Sequence, residues 1–148
     1  MKVPRILWPT DFAESDHDAL LAARDLAQNW RAEVIALHVI GDVAEEVYGE
    51  KTTEGKDRAA WALWKISQGK AEKRLEEIVG GSLRGVAYRC VSAFGDPATR
   101  ILESIRDLGV GLVVMAARRD KSLLQEMLLG SVAYKIVRTA PCNVMLVK

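Results

Sequence analysis

The residues best placed to do chemistry are Gly130 and Ser131, at the head of the segment Leu128-Leu129-Gly130-Ser131-Val132-Ala133. A glycine-serine turn that opens a helix presents backbone N–H groups with no intrahelical partner, and such groups attract anions such as phosphate. The same pair also suits a plain capping role, because a serine hydroxyl accepts from a first-turn N–H. Upstream, Ala116-Ala117-Arg118-Arg119-Asp120 stands where a backbone would have to come close to a ligand, and a Cβ there obstructs that approach. Arg118, Arg119 and Lys121 either replace the lost contacts with charge-assisted bonds to an anion or are solvated loop residues. Asp11 follows Ile6-Leu7-Trp8-Pro9-Thr10. Its carboxylate either orients a ligand's donor groups or accepts from the backbone of its own turn.

Other reactive side chains fit structural roles. His38 lies inside the apolar run Val34 to Ile40, where a hydrogen-bonded core histidine is expected rather than a base. His17 sits between Asp16 and Asp18 in the exposed first turn of a helix, where the helix dipole accounts for the two acids. Cys90 and Cys142 are far apart and form no paired motif, as in a reduced compartment. No zinc constellation, serine elbow or catalytic triad can be assembled from these residues.

The elements that must position this chemistry alternate along the chain. Ile6 to Trp8, Val34 to Ile40, Val86 to Val91, Leu112 to Met115 and Val144 to Val147 read as strands. Between them, helices are expected at about Ser15 to Trp30, Asp57 to Val79, Pro97 to near Gly109, and Gly130 to Thr139. Gly41 to Lys56 reads as a loop. This alternation predicts one α/β domain over residues 1–148, a doubly wound five-stranded parallel sheet flanked by four helices. Ligands in such sheets sit beyond the carboxyl ends of the strands, where the strand order reverses. That point is expected between the first and fourth strands, which gathers Pro9, Thr10 and Asp11 on one side and the 116–131 loop on the other.

Composition limits the partners. Twenty-one basic against twenty acidic residues leave a formal charge of +1, which supplies no field for nucleic acid or an anionic membrane. The chain shows no signal-peptide core and no apolar run long enough to span a bilayer, so a cytoplasmic location is expected. Val144-Met145-Leu146-Val147 would form an apolar sheet edge that a second copy can cover. Trp61, Leu63, Trp64 and Ile66 spread over more of their helix than one sheet-facing stripe needs. They are covered by the preceding loop or form a protein-partner surface.

At five places the chain resembles the universal stress protein family: Ile6-Leu7-Trp8-Pro9-Thr10-Asp11-Phe12, Leu37-His38-Val39, Gly95-Asp96-Pro97, Leu128 to Ala133, and Ala140-Pro141-Cys142 before the last strand. The resemblance implies an adenine nucleotide alpha hydrolase-like fold with sheet order 3-2-1-4-5 and a homodimer through the C-terminal strand. It places Pro9, Thr10, Asp11 and Val39 at the adenosine end of a cleft, and Gly130, Ser131 and Val132 around phosphate. ATP-binding members carry Gly-x-x-Gly, nine residues, then Gly-Ser or Gly-Thr. Counting back from Gly130 puts the leading pair at Ala117 and Asp120, whereas counting on from the strand puts it at Ala116 and Arg119. Neither register contains a glycine, and the mismatch makes the loop one residue longer than the family pattern. The resemblance therefore implies a stress-response regulatory or binding module without chemistry of its own, to which ATP binds weakly or not at all. The alternative is an ATP-binding switch or weak ATPase using Arg118 and Arg119 in place of the glycines.

Overall fold

The computed structural model describes residues 3–41, 54–117 and 129–148, with only the backbone described over 54–60. Five strands, β1 (Arg5–Pro9), β2 (Glu33–Ile40), β3 (Tyr88–Phe94), β4 (Leu112–Ala116) and β5 (Asn143–Val147), form one parallel sheet in the order β3-β2-β1-β4-β5. Four helices are described: α1 (Asp16–Trp30), α2 (Glu54–Ser82), α3 (Pro97–Asp107) and α4 (Ser131–Thr139).

Alternation along the strands divides the core into two layers. Ile6, Trp8, Val34, Ala36, Leu112 and Val114 pack with Ala19, Leu20, Ala23 and Ala27 of α1 and Leu75 and Val79 of α2. Leu7, Ile35, Leu37, Val113 and Met115 face the other way, onto Ala98, Ile101 and Ile105 of α3 and Ala133 and Ile136 of α4. Each central strand is thus apolar on both faces, which explains its unbroken hydrophobic run. The small residues of α1 bring that helix close to the sheet. Among the described residues no helix is long and apolar enough to cross a membrane.

Several boundaries differ from expectation. The long helix runs from Glu54 to Ser82, so Glu54, Gly55 and Lys56 are helical rather than loop, and Gly80-Gly81 do not end it. Each helical glycine costs about 1 kcal/mol relative to alanine. Val79 before them and Leu83 after them are both fully buried, and that docking carries the chain across. The third strand starts at Tyr88 rather than Val86. Val86 N–H donates to the Leu83 carbonyl in a turn where Gly85 has φ +82, and the ladder with β2 begins at Val34↔Tyr88. The last helix begins at Ser131.

The aromatic cluster of α2 is partly exposed. Trp61 is 58% and Ile66 55% exposed, while the Trp64 ring lies 5.0 Å from that of Phe94 at the end of β3. Most of the loop expected to cover them lies outside the described residues.

Candidate functional site

The sheet order reverses between β1 and β4, and a cleft of about 210 Å³ opens there beyond the strand ends. Pro9, Thr10, Asp11, Val39, Gly130, Ser131 and Val132 all line it. Asp11 and Ser131 lie exposed at its mouth and Thr10 is buried. Pro9 ends β1 and Val39 belongs to β2, so parallel pairing of these two strands brings them to one end of the sheet.

A hydrogen-bonded knot shapes the β1–α1 side. The Thr10 hydroxyl donates to Asp16 Oδ2 at 2.7 Å and accepts from Phe12 N–H at 2.9 Å. Asp11 N–H also reaches Asp16 Oδ2, at 3.2 Å, and Asp11 Oδ1 accepts from Ala13 N–H at 3.2 Å. The turn-backbone role open to Asp11 in the sequence is therefore present. Trp8 Nε1 donates to the Asp16 carbonyl at 3.0 Å, which ties the strand to the first turn of α1. Burial pushes the Asp16 carboxyl above its ordinary pKa, while bonds from the Thr10 hydroxyl and the Ala13 backbone pull it back.

His38 serves this knot rather than the cleft. Its Nδ1 lies 2.8 Å from the Thr10 carbonyl, which can only accept, so Nδ1 carries the proton. Phe12 is held in the left-handed region at φ 68, which is costly for a bulky residue. Its ring packs against His38 at 4.2 Å between centroids and under the Arg74 guanidinium at 4.3 Å. His17 is exposed, as expected of the first turn.

Sequence reasoning missed Asp16 as a site residue. It lines the cleft together with Leu37, Pro97, Ile101, Met115, Ala116 and Ala133, and is only 6% exposed. A signal was available, because Asp16, Ala19, Leu20, Ala23 and Ala27 follow helical spacing and place the acid on the buried stripe.

The opposite side of the cleft corrects one expectation. Gly130 is the N-cap of α4, since its carbonyl accepts from Tyr134 N–H at 2.9 Å, and no side-chain cap bond forms. Ser131 is therefore the first helical residue, not the cap. The start of α4 meets the cleft without a capping hydroxyl, and among the described residues an added Cβ at Gly130 would find no atom within 4 Å.

Ala116 ends β4, and Ala117 N–H continues the ladder by donating to the Val147 carbonyl at 2.8 Å. Neither alanine has a positive φ, so neither occupies a backbone conformation that demands glycine. The second position of the expected glycine pair, Arg119 or Asp120, lies outside the described residues, as do Arg118, Lys121 and Leu128.

Comparison with known proteins agrees with this geometry. The sequence model of the universal stress protein family matches residues 2–148. The chain is 31% identical over 157 residues to universal stress protein YxiE of Bacillus subtilis, covering 97% of this chain and 98% of that protein. It is 28% identical over 159 residues to universal stress protein MJ0577 of Methanocaldococcus jannaschii. The solved structure of MJ0577 superposes with a TM-score of 0.80 at 27% identity, covering 100% of this chain and 97% of that one. The universal stress protein from Archaeoglobus fulgidus in complex with dAMP has a TM-score of 0.66, covers 98% and 97% of the two chains, and shares 15% identity, a likeness of fold alone.

Proposed function

Because the chain belongs to the universal stress protein family, we propose that it is a stress-response regulatory or binding module whose cleft takes an adenine nucleotide weakly and carries out no reaction of its own. One observation carries this reading. Seven residues drawn from the end of β1 and the turn after it, from β2 and from the start of α4 converge on a single cleft at the sheet's reversal point, the position where doubly wound folds hold ligands. In this reading Pro9, Thr10, Asp11 and Val39 face the base and ribose, and Gly130, Ser131 and Val132 lie toward phosphate. The dAMP complex of the Archaeoglobus protein shows that this fold can hold a nucleotide. The weakness follows from the loop sequence, where Arg119 or Asp120 stands at the second glycine position in either register. A side chain there takes the space of close backbone contacts, and an aspartate repels phosphate.

The cytoplasm is the proposed location and a homodimer through β5 the proposed assembly. The ordinary backbone angles of Ala116 and Ala117 favour a second reading, a nucleotide-dependent switch or weak ATPase in which Arg118 and Arg119 hold the phosphates. Calorimetry of the full chain with ATP and magnesium separates the two. The binding-module reading expects no saturable heat at micromolar ATP. A micromolar dissociation constant lost in Arg118→Ala/Arg119→Ala, or ATP retained through purification, overturns it in favour of the switch.

A further inference from the structure

Phe12 holds a backbone conformation that its side chain opposes. Two non-glycine residues among those described have positive φ, Phe12 at 68° and Arg31 at 55°. Arg31 is the C-cap of α1, where a left-handed residue is an ordinary way to end a helix. Phe12 lies in the turn between β1 and α1 and ends no helix. At such a residue the left-handed backbone is disfavoured by roughly five- to thirtyfold in population. The Phe12 ring has partners from two other elements. His38 on β2 lies 4.2 Å away between centroids and is itself tethered, with Nδ1 2.8 Å from the Thr10 carbonyl. Arg74 on α2, an exposed residue, sets its guanidinium 4.3 Å from the ring centroid. We infer that the turn carrying Asp11 to the cleft mouth is a two-state element latched from α2: Arg74 and His38 hold the Phe12 ring and keep the turn strained, and withdrawal of Arg74 lets Phe12 relax to negative φ.

The opposing magnitudes are close, which makes the turn a switch rather than a fixed corner. A cation over an exposed aromatic face contributes about two- to fivefold and an aromatic pair about two- to twelvefold, so the two contacts together match the strain and the loss of one tips the balance. The two jaws are unequal. His38 is fixed by the β2 ladder and by its bond to Thr10, whereas Arg74 projects from a helix surface and is the contact that can be withdrawn. Relaxation of Phe12 redirects the chain on both sides of it. The bonds that close the turn, from Phe12 N–H to the Thr10 hydroxyl at 2.9 Å and from Ala13 N–H to Asp11 Oδ1 at 3.2 Å, do not both survive that change. Displacement of α2 is thereby passed to the mouth of the cleft, although no described residue of α2 lines it.

Amide nitrogen relaxation dispersion on the ligand-free full chain detects microsecond-to-millisecond exchange with a minor state, and it tests the latch. In Arg74→Ala the population of the relaxed turn, read at residues 11–13, is expected to rise about two- to fivefold over the parent. Arg74→Lys keeps a cation for the ring and should raise it less. In a Phe12→Gly background, where positive φ carries no strain, adding Arg74→Ala should change nothing at residues 11–13. Melting temperature gives a separate reading. Phe12→Ala and Phe12→Gly both lose the ring, but alanine keeps the strain, so the glycine variant is expected to melt about 2–4 °C above the alanine variant, the reverse of the usual order. Exchange unmoved in Arg74→Ala, an equal rise in the glycine background, or a glycine variant that melts below the alanine variant overturns the latch.

Discussion

Thr10→Val removes one hydroxyl from the centre of the β1–α1 knot and keeps the shape of the side chain. Two bonds go with it, the donation to Asp16 Oδ2 at 2.7 Å and the acceptance from Phe12 N–H at 2.9 Å. A hydrogen bond to a charged group contributes about 1.5–3 kcal/mol, and a neutral bond about 1 kcal/mol. The added methyl returns at most about 0.8 kcal/mol of apolar burial. The net expected loss is about 2–3 kcal/mol, which for a chain of this size lowers the melting temperature by about 5–10 °C. Urea unfolding at neutral pH measures it, and the cycle with Asp16→Asn should show a coupling of about 1 kcal/mol or more. The pH dependence has a definite sign. The lost bond favours ionised Asp16, so removing it lifts a carboxyl that burial already holds above its ordinary pKa. The penalty of Thr10→Val is therefore full above that raised pKa and shrinks as pH falls through it. A loss below about 1 kcal/mol at neutral pH, additivity with Asp16→Asn, or a penalty that grows in acid refutes the account of the knot.

Ser131→Ala should change stability by no more than about 0.5 kcal/mol, because the hydroxyl makes no cap bond; a loss of about 1 kcal/mol in thermal unfolding, the usual value for a serine cap, would contradict the assignment of Gly130 as the N-cap. Met145→Lys tests the proposed dimer with little damage to the core, since Met145 is 41% exposed while its neighbours Val144 and Leu146 pack on the sheet's α3–α4 side. Light scattering should show the parent as a dimer and the variant shifted toward monomer. A parent that runs as a monomer at tens of micromolar ends that proposal.

Much of this protein is legible without coordinates. The five apolar runs and four helical patterns state a doubly wound sheet, because only a parallel strand covered on both faces tolerates a run such as Val34-Ile35-Ala36-Leu37. That sheet in turn says where a ligand belongs, so Pro9, Thr10 and Asp11 can be named as neighbours of the 116–131 loop across more than a hundred residues of chain, and the family resemblance adds Val39 and Val132. What local pattern does not contain is the choice among options that neighbouring elements settle. The helical pattern reads as ending at Val79, yet burial of Val79 and Leu83 carries the helix across Gly80-Gly81. Val86 reads as a strand residue, yet β2 pairs from Tyr88 and leaves Val86 to fill the core. Ser131 reads as a cap, but the carbonyl that accepts from Tyr134 belongs to Gly130. Asp16 reads as a solvent-facing acid beside His17 and Asp18. It is buried because a threonine hydroxyl and a backbone amide, both supplied by the end of β1 and the turn after it, are waiting there to solvate its carboxylate. Periodicity records which face of a helix turns inward, and only the packed structure supplies the partners that let a charge go with it.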